Sequence, residues 1–224
     1  MNRGELVDAI TGTRFDASQP VSDWLDSAYS WVYFGGTPVD RGPQVRWSFR
    51  FPAEPVSLTV TAGNRQPTMP TDFGEVVSLL DDQGVEMDEL TDAEFERAFR
   101  DQAIAGGAAR PTTFKVVNRQ IVLAPTPDSN YTFNLAYARR LYHFELDGTT
   151  IVVGPMTNDS DLPCFGAEHH LLLVYAATII GLGLENDPFG APAIRQLRDD
   201  AFAAMREDLQ IDLGRVDDYY PPWP

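Results

Sequence analysis

The pattern of apolar and polar positions begins with an amphipathic helix. The segment at 18–34, SQPVSDWLDSAYSWVYF, places apolar residues at helical spacing. Ser18 is a candidate N-cap, Pro20 suits a first helical turn, and Gly35 with Gly36 is expected to end the helix. The recurring apolar positions are Val21, Trp24, Leu25, Ala28 and Val32.

Three further helices are predicted downstream. A short acidic helix at about 90–103 begins with a capping-box pattern, in which Thr91 and Glu94 can satisfy each other's backbone N–H groups. The segment EHHLLLVYAATIIGLGL at 168–184 is apolar nearly all round, so it is expected to be buried. The last helix, at 192–209, has a single apolar stripe formed by Ile194, Leu197, Ala201, Met205 and Leu209.

Alternating and β-branched stretches between these helices predict six strands. They lie at Val45–Phe51, Val56–Thr61, Glu75–Leu80, Phe114–Val117, Ile121–Ala124 and Tyr131–Tyr137. Asn118-Arg119 and Pro127–Asn130 are the expected turns between the last three, which would form an antiparallel sheet. Because side chains alternate along a strand, Phe133, Leu135 and Tyr137 would share one face.

Together these elements predict an α+β fold, with a helical-bundle body and a small antiparallel β-sheet lobe. The chain is expected to form a single domain over residues 1–224. Its predicted parts are helical segments at about 3–35, 90–103 and 166–210, a β lobe at about 45–88 and 111–153, and an extended C-terminal tail at 211–224.

Net charge is the strongest signal in the composition, because 33 acidic residues against 17 basic ones give a net charge of −16. Such a surface disfavours gripping a nucleic-acid backbone. Eleven acids fall within 72–101, whereas 110–140 has five cations against the single acid Asp128. The two blocks could pair between subunits, or they could be ordinary solvated surface.

The cysteine count and the hydropathy indicate the cellular environment in which the protein is expected. The single Cys164 excludes an internal disulfide framework and is compatible with a reducing environment. The N-terminus has no apolar signal region, and the uncharged apolar run Leu171–Leu184 falls short of the roughly 20 residues that a bilayer span needs. A soluble, unprocessed protein without membrane association is expected.

Candidate catalytic chemistry is sparse. Cys164, His169 and His170 could be imagined as a metal or thiol–histidine site, but adjacent helical histidines point about 100° apart, and no second ligand pair accompanies them. The neighbouring carboxylates at 81–82, 199–200 and 217–218 are expected to be solvated. Phosphate-loop and nucleophile-elbow motifs are missing from the sequence, so neither an enzyme nor a bound cofactor is predicted.

The order of motifs resembles the head-to-tail adaptor, or neck connector, proteins of tailed bacteriophages. Four segments within residues 18–210 carry the resemblance: WLDSAYSWVYF, MPTDFGEVVSLLDDQG followed by LTDAEFE, RPTTFKVVNRQIVLAPTPDSNYTFNLAYARR, and LENDPFGAPAIRQLRDDAFAAMREDL. The link LDGTTIVVGPMTNDSDLPCFG and the C-terminal IDLGRVDDYYPPWP do not match the family pattern.

This resemblance implies a structural virion protein of the neck, assembled in the host cytoplasm. It would form a dodecameric ring that docks below the portal protein, contacts the next neck or tail protein and lines the channel through which genomic DNA passes without sequence-specific binding. The alternatives are another tail-completion protein, or a small hydrolase or metal enzyme that uses Cys164, His169 and His170. An acidic wall would suit a channel, because carboxylates repel phosphates.

Two sets of residues are expected at subunit interfaces. The cations at the end of the predicted β-sheet could meet carboxylates of a neighbour. The tail combines prolines, which favour an extended segment, with large aromatic side chains of the type enriched at interface centres. These residues are Arg139, Arg140, Tyr219, Tyr220, Pro221, Pro222 and Trp223.

Overall fold

The computed structural model divides the chain into two compact units. Unit 1 combines Met1–Arg50 with Leu141–Pro224, and unit 2 is the continuous segment Phe51–Arg140. The structure describes residues 1–15, 19–35, 47–105, 107–183 and 192–210.

The described residues form five α-helices and eight strands. The helices are α1 (Arg3–Arg14), α2 (Val21–Tyr33), α3 (Asp92–Ala105), α4 (His170–Gly181) and α5 (Pro192–Leu209). The strands are β1 (Val56–Val60), β2 (Phe73–Leu80), β3 (Asp88–Glu89), β4 (Thr113–Val117), β5 (Gln120–Ala124), β6 (Tyr131–Arg139), β7 (Tyr142–Phe144) and β8 (Ile151–Val153).

Unit 1 is organised around α4, which contacts α1, α2 and α5. The expectation that this apolar helix is buried is confirmed, except that Leu171 is 50% exposed. Its neighbours add fully buried aromatic side chains: Trp47 donates its indole N–H to the Val32 carbonyl at 2.6 Å, and Tyr29 donates its hydroxyl to the Tyr142 carbonyl. The buried polar groups of Trp47 and Tyr29 therefore both have a hydrogen-bond partner, as an apolar core requires.

Helix α1 begins with a capping box, in which Asn2 and Glu5 bond each other's backbone N–H groups at 2.9 Å. The loop near residue 160 then anchors this helix, because the Arg3 and Gly4 N–H groups donate to the Asp161 and Asp159 carbonyls at 2.8 and 2.9 Å. The start of the chain is thus tied to a segment more than 150 residues away.

Unit 2 has its own hydrophobic core between sheets. Strands β1, β6 and β2 form an antiparallel sheet with β6 in the centre. Strands β3, β4 and β5 form a second, mixed sheet, in which β3 is parallel and β5 antiparallel to the central β4. The predicted shared face of Phe133, Leu135 and Tyr137 is confirmed, since all three are buried in one cluster. The other buried members are Leu58, Val60, Phe73, Leu79, Met87, Phe114, Ile121 and Leu123.

The predicted helical-bundle body with a small β lobe is wrong. The structure is 38% helix and 24% strand, with five helices and three sheets in its described part, which is a mixed α+β fold. The physical reason is that the central strands bury large side chains on a common face. The sheets therefore enclose a hydrophobic core of their own and are not a small lobe attached to a helical core.

Some individual elements also differ from expectation. The strand expected at Val45–Phe51 is wrong in its described part, because Ser48–Arg50 forms a 3₁₀ turn. The stripe of α5 is incomplete, since Leu197 is 47% exposed while Met205 is buried. Ser18, the predicted N-cap of α2, lies outside the described residues, and Pro20 occupies the cap position without a side-chain bond.

Candidate functional site

The two arginines at the end of β6 contact the segment just before β2. Arg139 places its Nε 2.9 Å from Asp72 Oδ2, and the two side chains are only 19% and 13% exposed. Tyr137 donates its hydroxyl to the other Asp72 oxygen at 2.7 Å, and Arg140 donates to the Thr71 carbonyl. Burial and then this hydrogen bond raise the pKa of Tyr137. Asp72 is therefore the centre of a half-buried polar cluster within unit 2.

A second arginine cluster stabilises the turn after β2. Arg110 contacts both Asp81, at 2.8 Å, and Asp82. Asp81 Oδ1 also accepts the Gln83 and Val85 N–H groups at 2.9 and 2.8 Å. Burial raises the pKa of Asp81, but these hydrogen bonds and the guanidinium outweigh it and hold the pKa below its usual range. The prediction that this carboxylate is solvated is wrong, because Asp81 is buried.

Cys164, His169 and His170 are all buried in unit 1. His170 Nδ1 lies 2.9 Å from the N-terminal amine, and Nε2 lies 3.1 Å from the Phe165 carbonyl. Burial and then the N-terminal charge lower the pKa of His170. The Nε2 atom of His169 lies 3.4 Å from Asp208 Oδ2. Among the described residues, no group of three or more His, Cys, Asp or Glu side chains is placed to hold a metal.

A buried histidine–aspartate contact that the sequence did not reveal joins β7 to the loop at 157–161. His143 Nε2 lies 3.2 Å from Asp161 Oδ2, with the two side chains 2% and 3% exposed. The same carboxylate oxygen accepts the Thr157 and Asn158 N–H groups at 2.7 and 2.8 Å. Burial raises the pKa of Asp161, but these two hydrogen bonds and the electrostatic effect of His143 lower it by more. The pKa of Asp161 is therefore below its usual value.

A surface groove of about 570 Å³ lies in unit 2 between α3 and strands β4 and β5. Its lining is mainly apolar, with charge supplied by Glu94, Arg97 and Asp101. The capping box predicted for α3 is confirmed at its edge, since Thr91 and Glu94 bond each other. The charged side chains that line the groove are exposed at the surface. The groove therefore does not have the buried, converging polar groups that are typical of a catalytic site.

The predicted tail residues, Tyr219, Tyr220, Pro221, Pro222 and Trp223, lie outside the described residues. Of the predicted interface set, the structure therefore brings together only the two arginines, which are adjacent and contact Asp72 and Thr71. The signal for the clusters at Asp72 and Asp81 was present in the sequence as a local excess of acids. Their arginine and tyrosine partners, however, lie 28 or more residues away.

The protein has a mixed α+β fold in two compact units. In unit 2, Asp72 and Asp81 are the centres of internal clusters with arginine side chains. The model of the SU10 adaptor protein family matches residues 1–223, and the chain belongs to that family. The resemblance to phage head-to-tail adaptors is thereby confirmed. A search of curated proteins finds no match.

Membership in this family makes the protein a phage adaptor and a virion component that interacts with other virion proteins. None of the helices in the described part of the chain has the length and apolar character needed to cross a membrane.

Proposed function

We propose that the protein is a structural, non-enzymatic subunit of the phage neck, which forms a ring under the portal and lines the DNA channel. The observation that carries this proposal is the match of the SU10 adaptor family to nearly the whole chain, residues 1–223. A match of this extent covers both units of this chain, so the adaptor role is assigned to the two units together.

The ring is proposed to be a dodecamer that contacts the portal on one side and the next neck or tail protein on the other. Its place is the head-to-tail junction of the virion, after assembly in the host cytoplasm. Rings require heterologous contacts, in which two different surfaces of the same subunit meet. No cofactor is needed for this function.

Acidic side chains are proposed to face the channel. Helix α3 exposes Asp92, Glu94 and Glu96, and α5 exposes acids at 199–200 and 207–208. DNA that moves through a ring must not adhere to its wall, and carboxylates repel phosphates where lysine and arginine would hold them. The net charge of −16 supports this role for at least one of the two helices.

Arg139, Arg140 and the tail residues Tyr219, Tyr220, Pro221, Pro222 and Trp223 are proposed as interface residues. A guanidinium has five N–H donors. Each arginine can therefore keep its present partner and also donate to a carboxylate of a neighbouring subunit. The aromatic tail would supply the apolar part of such an interface.

Electron microscopy of the protein bound to its portal tests the proposal. The expected result is a closed ring of adaptor copies below the portal, with exposed acids of α3 or α5 on the inner wall. A ring whose lumen is lined by arginine, with both acidic helices on the outer rim, contradicts the channel assignment. Absence of any ring contradicts the proposal as a whole.

A further inference from the structure

The tip of the β4–β5 hairpin exposes a cation in a constrained turn. Asn118 and Arg119 have φ values of 50° and 62°, in the left-handed region where glycine is the usual residue. Arg119 is exposed at this position, and the adjacent Val117 is 39% exposed. Lys115 on the same hairpin contacts Asp92, whereas the described residues provide no ion pair for Arg119. The turn therefore retains a charged side chain at a conformational cost.

The tip of the β7–β8 hairpin has the opposite charge. Asp147 holds its loop in place by accepting the Thr149 and Thr150 N–H groups, both at 2.8 Å. Leu146 is 68% exposed beside the exposed Glu145, and the described residues give Glu145 no ion pair. This tip thus presents an aliphatic side chain and a carboxylate on a loop that is already ordered.

We propose that these two tips bind each other between neighbouring copies of the chain, with Arg119 of one copy against Glu145 of the next and Val117 against Leu146. Each tip offers one exposed aliphatic group, and the charges are opposite, with Arg119 on one tip and Glu145 and Asp147 on the other. Both loops are constrained before binding, so little conformational freedom is lost on contact. The two surfaces differ, which gives the heterologous contact that a ring needs.

A second copy is the occupant that the charge balance favours. Copies with a net charge of −16 repel one another over most of their surface. Association therefore requires a local attraction in which a cation on one copy faces a carboxylate on the other, and Arg119 opposite Glu145 supplies it. This inference rests on the proposed ring and specifies one of its contacts.

Charge exchange tests the contact in the full-length chain. R119E and E145R, each alone, should weaken self-association about tenfold in sedimentation velocity at low salt, because each places like charges together. The double variant R119E/E145R should restore it. The control R119K keeps the positive charge at the same position of the turn, so its association should equal that of the wild type. Thermal unfolding of each variant checks that the fold is kept.

Cross-linking provides a second readout that does not depend on charge. A V117C chain mixed with an L146C chain should form a disulfide-linked heterodimer, whereas either variant alone should not; the native Cys164 is buried. Assembly that is insensitive to both charge variants, or a double variant that is not restored, overturns the tip contact and leaves the ring standing. A complex with the portal in which the wild-type chain forms no ring overturns the ring and the tip contact together.

Discussion

At the residue scale, buried carboxylates hold the loops of this protein through backbone N–H groups. Asp161 accepts two such groups and faces His143, while Asp81 accepts two and faces Arg110. A hydrogen bond to a charged group contributes more than one between neutral groups, and losing one partner leaves the other unsatisfied. Single substitutions at these positions are therefore expected to have large effects.

Asp161→Asn should lower the free energy of unfolding by roughly 1–3 kcal/mol at pH 7, because the amide cannot accept all the bonds of the buried carboxylate. The pKa of Asp161 is lowered in the folded state. Its ionised form therefore stabilises the fold fully at pH values above the pKa of an aspartate in the unfolded chain, which is about 3.9. That stability is lost as the pH falls through the lower, folded pKa. Urea unfolding of both proteins between pH 7 and pH 3 measures the difference.

A suitable control is Asp159→Asn in the same loop. Its carboxylate is 84% exposed and pairs with Arg3 at 3.2 Å. Exposed pairs contribute at most about 1 kcal/mol. If the two variants lose equal stability and keep the same pH dependence, the buried pair with His143 does not have the assigned role.

At the element scale, alternation along single strands was predictable and the partnership between strands was not. Strands β4, β5 and β6 were predicted to within two residues at each end, and the turn at Asn118-Arg119 and the α3 capping box also follow from local patterns. The expectation that these three strands form one antiparallel sheet is wrong, because β6 pairs with β1 and β2 instead. The short strands β7 and β8 fall within the β lobe predicted at 111–153, but neither was predicted as a strand, because three residues are too few to establish a period. Clusters such as His143 with Asp161 depend on tertiary contacts, which no local pattern encodes.

Strand β2 requires glycine at position 74, where it approaches β6. A Cβ atom at this position would lie 2.7 Å from the Ala138 carbonyl oxygen, which is a backbone atom and cannot rotate away. Gly74→Ala should therefore lower stability by about 1–3 kcal/mol, as measured by chemical denaturation. Gly107→Ala is the matched control in the same unit, since no atom lies within 4 Å of its added Cβ. Equal stabilities for the two variants would falsify the close approach.

At the scale of the whole molecule, two separate cores explain why a single bundle was the wrong expectation. Residues 51–140 contain eleven mutually packed buried side chains of their own. Expressed alone, this segment is expected to fold, because its core needs no residue from outside the segment. Urea unfolding should be sigmoidal and the amide NMR spectrum well dispersed; a collapsed spectrum with gradual unfolding contradicts this. Residues 1–50 alone should stay unfolded, since their core partners follow residue 141.

The proposed anchoring role of the tail also belongs to the whole molecule. Deleting residues 217–224 should leave the thermal unfolding of the chain unchanged but abolish ring or portal assembly, because aromatic anchors can each contribute about 2 kcal/mol or more to an interface. Size-exclusion chromatography with light scattering measures the assembly. Replacing only Asp217 and Asp218 with Asn is the control that separates charge from aromatic anchoring. A truncated chain that assembles with unchanged affinity shows that the tail is not an anchor.

The interruption of unit 1 by unit 2 sets an order of events on the ribosome. Helices α1 and α2 emerge first, but their core partner α4 begins only at His170. Unit 2 is a continuous segment, so it can complete its core before α4 has been synthesised. The apolar faces of α1 and α2 therefore remain without their main core partner until α4, which begins at His170, has been synthesised.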